Sequence, residues 1–274
     1  MAELAGIVYA YLAVPRLGEL VSHRTSASLP FCGRYRLIDF ALSNMTNAGV
    51  RNVGVIMQRD YQSLLDHLGS GKDWDLSRRR GGLRLLPPFG LPNSHTGVYE
   101  GNLEALLAVR SYIQDSSAEL FVLSRGDLVA NLDLRAAAEH HEANGLDVTA
   151  LCTAAPAAGV PHRFCLEGRG NISQVLGDYA KDRGTAGLGV YLIGKPLLLE
   201  LLNWAGDSGK VHFRDGLRWC QASGRRLGAF FHMGYSAQIS TVQEYYKANM
   251  DMLDAEKRAS LFPAARPVRT KERA

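Results

Sequence analysis

Short apolar runs alternating with helical stretches constrain this chain more than any other feature. Residues 5–10, 52–57, 83–86, 120–124 and 148–153 each read as a buried strand. Between them, residues 34–48, 58–68, 102–114 and 134–144 carry apolar positions at helical spacing. That alternation predicts an α/β domain of Rossmann-like type, with a mostly parallel sheet covered by helices on both faces. Ligands in such sheets bind beyond the carboxyl ends of the strands. After residue 153 the pattern loosens: 164–176 reads as a hairpin, 188–193 and 227–231 as strands, and 196–204 and 241–253 as helices. Residues 258–274 are basic and Pro-punctuated, like a linker, so the domain is expected over 1–257.

The 274 residues suffice for a substantial core, and 46% hydrophobic with 21% charged residues fits a soluble globular protein. A formal charge of +4 suits small anions and gives no nucleic-acid surface. Cys32, Cys152, Cys165 and Cys220 are scattered without metal-ligand spacing, which fits reduced thiols in a cytoplasmic protein and no zinc site. No signal peptide pattern and no apolar run of membrane-spanning length appears. His140 and His141 are adjacent on a helical stretch, hence on different faces, and do not form a metal pair.

The most informative stretch is 28–44, SLPFCGRYRLIDFALSN. It is a Pro-led loop, turning at Gly33 and entering a helix, with Arg34 and Arg36 at the junction. Guanidiniums beside the free N–H groups of a helix start can hold an anion; the same residues would equally make a solvated basic cap. The run PFxGxYRLIDFxLSN at 30–44, followed by NVGVIMQRDYQSLLDHLGSGKDWDL at 52–76, resembles the bacterial ADP-glucose pyrophosphorylase family. These enzymes make ADP-glucose from ATP and glucose 1-phosphate. The resemblance runs to about Leu253 and implies a nucleotidyltransferase-type fold. A β-helix domain follows such a linker in the family; its hexapeptide repeats are absent from this chain.

Set against the family's motifs, the chain departs where chemistry is done. The phosphate loop GGxGTRL reads Tyr11-Leu12-Ala13-Val14-Pro15-Arg16-Leu17, with its glycines gone and only Arg16-Leu17 kept. A side chain there would obstruct a triphosphate held by backbone N–H groups, and proline removes a donor. RAKPAVPF becomes Arg24 to Phe31 with Ser26 in place of lysine. Of the two aspartates that hold Mg²⁺, Asp127 in Gly126-Asp127 survives, while the other is Gln238. The sugar-facing YxGTADA reads Tyr99 to Ala105, with Gly101 kept and Glu104 for aspartate. The FxEKP lysine is missing near 172–182, where Lys181 is a weak substitute.

The resemblance therefore narrows to the GlgD-type regulatory subunit. It implies a chain with little or no activity and no cofactor of its own, paired with a catalytic subunit that uses Mg²⁺. Arg16, Asp127 and Gln238 would be catalytic vestiges, and Asp127 the remnant of the metal site. Gly101, Glu104 and Asp127 would be remnants of substrate binding. His23, Arg24, Arg34 and Arg36 match the effector site for sugar phosphates or nucleotides. Two other readings stay open: an active sugar-1-phosphate nucleotidyltransferase with an altered site, and a sugar-phosphate sensor.

Overall fold

A computed structural model describes residues 2–11, 15–87, 99–154, 162–177 and 184–272. In chain order the elements are β1 (Leu4–Tyr9), the two-residue strands β2 (Pro30–Phe31) and β3 (Tyr35–Arg36), α1 (Leu37–Asn47), β4 (Asn52–Ile56), α2 (Gln62–Leu68) and β5 (Gly82–Leu86). There follow α3 (Asn102–Ala108), α4 (Arg110–Asp115), β6 (Leu120–Arg125), β7 (Leu128–Ala130), α5 (Leu134–Ala143), β8 (Val148–Thr153), β9 (His162–Glu167) and β10 (Asn171–Val175). The chain continues through β11 (Thr185–Gly194), α6 (Lys195–Ser208), α7 (Phe213–Ala222), β12 (Leu227–His232), β13 (Ser236–Gln238), α8 (Val242–Asp251) and α9 (Ala255–Leu261).

The central sheet has the order β5-β4-β1-β6-β11-β8-β12-β10-β9. Strand alternation sorts its side chains: Ala5, Ile7 and Tyr9 of β1 face one core, and Leu4 and Val8 face the other. Helices α3, α4, α6 and α7 cover the first face, and α1, α2 and α5 cover the second. The α/β, Rossmann-like expectation is met, but the sheet is mixed rather than mostly parallel. The pairs β5–β4, β4–β1, β1–β6 and β8–β12 are parallel. The long strand β11 runs antiparallel to β6, β8 and β9, and β10 runs antiparallel to β9 and β12. Buried strands read as apolar runs in either direction, so alternation alone did not reveal the reversal.

Two expected helices differ in detail. The second begins only at Gln62, after Asp60 adopts a positive φ of 54°. The 102–114 stretch breaks at Val109 into α3 and α4.

A third core joins the loop before α1 to the end of the chain. Phe31, Leu37 and Phe40 pack there with Ile239, Ala248, Met252 and Leu261. Ring pairs Phe31–Phe40 and Tyr35–Phe262 lie 5.6 and 5.0 Å apart. The boundary expected at 257 falls inside α9, and the stretch after it is strapped to the domain. Asn131 Nδ2 donates to the carbonyls of Leu261 and Arg266, Trp74 Nε1 donates to that of Arg269, and Arg266 pairs with Asp133. Backbone acceptors that a linker would leave to water are taken up by side chains.

Candidate functional site

Strand β6 ends at Arg125, and Asp127 follows after one glycine, at the carboxyl edge of the parallel strands. Asp127 is 1% exposed. Its carboxylate is fully engaged: Arg125 Nε donates to Oδ1 at 2.8 Å, Arg125 Nη2 donates to Oδ2 at 2.9 Å, and Ser26 Oγ donates to Oδ2 at 3.2 Å. A two-point guanidinium–carboxylate fork is among the stronger polar contacts a protein makes. Ser26, standing where the family motif has lysine, thus reaches Asp127 directly. Arg125 was not singled out in the sequence; a lone arginine before Gly-Asp carries no periodic signal.

Gln238 sits across from Leu128 in the β13–β7 ribbon, next to Asp127, so the two positions to which the family resemblance assigns metal ligands lie close together. Gln238 is buried, its Nε2 donates to the carbonyl of Leu188 at 3.3 Å, and its Oε1 has no partner among the described residues. A divalent cation needs anionic oxygens. Here one carboxylate is neutralised by an arginine and the other position is a neutral amide. Among the described residues, no three His, Cys, Asp or Glu side chains are grouped to hold a metal ion. The residues present do not fit Mg²⁺.

Tyr11 replaces the first glycine of the phosphate loop, and its ring is buried rather than swung into solvent. It meets Tyr9 and Tyr99 edge to face, with centroids 6.2 and 5.3 Å away. Its hydroxyl donates to Asn102 Oδ1 at 3.0 Å and contacts the Gly101 carbonyl at 3.4 Å. The phosphate-loop position is therefore tied to the segment that matches the family's sugar-facing motif. Burial pushes the Tyr11 phenol well above its ordinary range, and nearby Tyr9, Tyr99 and Glu104 add to this. Leu12, Ala13, Val14 and Lys181 lie outside the described residues; Arg16 is exposed at the start of the turn Pro15–Val21.

Gly101 and Glu104 have structural duties. A β-carbon on Gly101 would sit 2.2 Å from the Val211 carbonyl oxygen, so only glycine lets α3 pack against that loop. Glu104 Oε2 accepts from the Glu100 amide at 2.6 Å, just before α3. Burial pushes the thiols of Cys152 and Cys220 up to about 12, which removes them as nucleophiles near neutrality.

The expected effector residues hold different neighbours. Arg36 Nη1 donates to the carbonyl and the hydroxyl of Ser63, at 2.6 and 2.7 Å, at the start of α2. Burial raises the Tyr245 phenol on α8 above its ordinary value, and the charge of half-buried Arg24 partly offsets this. Arg34 lies over the Tyr35 ring at 5.9 Å, and His23 is exposed. Arg36 is thus committed within the protein, while His23 and Arg34 face solvent.

Comparison with known proteins agrees with this framework. The Nucleotidyl transferase family profile matches residues 15–164. A glucose-1-phosphate adenylyltransferase of Halalkalibacterium halodurans is 31% identical over 264 residues, covering 92% of this chain and 67% of that protein. One from Geobacillus stearothermophilus is 32% identical, covering 90% of this chain and 65% of the relative. The glycogen biosynthesis protein GlgD of Bacillus subtilis is 27% identical, covering 98% of this chain and 69% of its own length. The chain thus spans about two thirds of the length of these relatives. In fold it is similar to a Bacillus anthracis protein assigned as a glucose-1-phosphate thymidylyltransferase, with TM-score 0.74 at 17% identity over 92% of this chain and 96% of the other. On this framework and these matches, the chain belongs to the nucleotidyl transferase family, alongside its glucose-1-phosphate adenylyltransferases and GlgD.

Proposed function

We propose that this chain is a non-catalytic, regulatory member of the ADP-glucose pyrophosphorylase system of glycogen biosynthesis. It would act in the cytoplasm by pairing with a catalytic homologue in a hetero-oligomer. The observation that carries this reading is the state of Asp127, gripped by Arg125 and Ser26 where the enzymes need a free carboxylate for Mg²⁺. Gln238 and Tyr11 support it independently. The first lacks the second negative charge, and the second fills the phosphate-loop position with a buried ring. The framework around them is retained, as expected of a chain kept for assembly rather than turnover.

In this reading no cofactor is needed here; Mg²⁺ serves the catalytic partner. His23, Arg24, Arg34 and Arg36 form the proposed site for a phosphate-bearing effector, with Arg36 exchanging Ser63 for the ligand. ADP-glucose formation from ATP, glucose 1-phosphate and Mg²⁺ tests the proposal. The chain alone should give negligible product, and its addition to the catalytic homologue should change that enzyme's effector response. Ordinary turnover by the chain alone would favour an active enzyme with an altered site. An unchanged response, with no complex formed, would favour a free-standing sensor.

A further inference from the structure

Arg51 immediately precedes β4, and Arg78, Arg79 and Arg80 precede β5. Because β4 and β5 are parallel neighbours, both segments lie at the amino edge of the sheet. Tyr11 and Asp127 lie at the opposite, carboxyl edge, after β1 and β6. The four arginines line one open cleft of about 680 Å³.

The backbone beneath them is fixed. The Gly82 amide donates to the Arg51 carbonyl at 2.7 Å, and the Leu83 amide to the Leu76 carbonyl at 2.8 Å. Gly81 and Gly82 turn the chain with φ of 76° and 84°. A β-carbon at Gly82 would lie 2.5 Å from the Leu76 carbonyl oxygen, so the corner requires glycine. Charge balance is lopsided: Arg78 pairs with Asp75, but among the described residues no carboxylate pairs with Arg51, Arg79 or Arg80. Exposed cations this close repel one another within the Debye length, and a bound anion relieves that repulsion.

We propose that this arginine cleft binds a small anion carrying two or more adjacent phosphate groups. One phosphate offers too few oxygens and too little charge to engage Arg51, Arg79 and Arg80 together, whereas linked phosphates present several bidentate edges. The site is independent of the regulatory reading and of the effector residues proposed above.

Titration calorimetry of the full chain with inorganic pyrophosphate tests it, alongside orthophosphate and sulfate at matched ionic strength. Pyrophosphate should bind at least about tenfold more tightly than either, and more weakly as salt rises. Arg79→Ala/Arg80→Ala should weaken pyrophosphate binding about tenfold or more, while Arg24→Ala and the surface control Arg169→Ala should not. Both altered residues are exposed, and a parent-like thermal midpoint confirms folding of the double variant. Three results each overturn the proposal: pyrophosphate binding no better than sulfate, a double variant that binds like the parent, or a single-stranded oligonucleotide that binds more tightly than pyrophosphate through the same arginines.

Discussion

Arg125 and Asp127 form a two-point ion pair across a single glycine, with N–O distances of 2.8 and 2.9 Å and almost no solvent at the carboxylate. The pair places a fixed guanidinium against the carboxylate to which family resemblance assigns a metal. The guanidinium occupies both oxygens of that carboxylate and fixes the end of β6.

Removing one half of that pair leaves a buried, uncompensated charge. Arg125→Ala should therefore lower stability by about 3–5 kcal/mol, read as a reduced urea midpoint at neutral pH. Arg125→Ala/Asp127→Ala should lose less than the two single losses added together, because neither charge is then stranded. A single variant that unfolds with the parent would show that the pair contributes nothing.

Tyr11 can be tested the same way. Tyr11→Phe removes the hydroxyl's bond to Asn102 and should cost about 1 kcal/mol. Tyr11→Gly restores the family residue but empties the space among Tyr9, Tyr99 and Asn102, and should cost about 3–5 kcal/mol. Equal midpoints for the two variants would mean that the ring does not pack as described.

Restoring a carboxylate at Gln238 should not restore an enzyme. Gln238 Nε2 donates to the Leu188 carbonyl, so Gln238→Asp would remove that donor from a buried site. Asp127 would remain held by Arg125. The expected outcome is a lower thermal midpoint and no ADP-glucose synthesis with Mg²⁺. Turnover near the usual enzyme range of about 1–10³ per second from this one change would refute the account of the site.

The strands, the helix after the Pro30 loop and the 164–176 hairpin were legible because burial imposes a period on sequence. Tyr11, Ser26 and Gln238 were legible as departures from the family's motifs. The contacts they make were not. The Arg125–Asp127 fork joins neighbours whose spacing suggests no contact. The Ser26–Asp127 and Tyr11–Asn102 bonds span 101 and 91 residues, and local pattern is blind to such separations. The tail misled for a related reason. Prolines and cations at 258–274 look like a linker, yet the partners that anchor it, Asn131 and Trp74, are far away in sequence.

Acid should destabilise the fold through His141 and His232. Burial lowers both below the ordinary value of 6.5; neighbouring Asp147 and Glu142 only partly offset this at His141. The unfolded chain then binds the protons first, so stability is complete above about pH 6.5 and falls as pH drops below it. His141 Nδ1 lies 2.9 Å from Thr149 Oγ1, inside the second core. Urea midpoints at pH 7.5 and 5.5 should differ less for His141→Gln than for the parent. An equal or larger difference would assign the acid sensitivity elsewhere.

The effector proposal makes its sharpest demand on Ser63. Arg36 spends one guanidinium nitrogen on the Ser63 carbonyl and hydroxyl, so a phosphate reaching Arg36 must compete with both. Ser63→Ala deletes one competitor without touching any proposed ligand-binding group. Binding of a sugar phosphate or nucleotide, measured by calorimetry on this chain, should tighten severalfold in Ser63→Ala and weaken in Arg24→Ala. It should weaken further as salt rises, because the contacts are ionic and partly exposed. Because Arg36 also anchors the start of α2, a ligand that draws it away loosens that helix start. Hydrogen exchange at the first turn of α2 should therefore rise when effector is added. Weaker or unchanged binding in Ser63→Ala, or no change in exchange at α2, would reduce His23, Arg24, Arg34 and Arg36 to solvated surface charge.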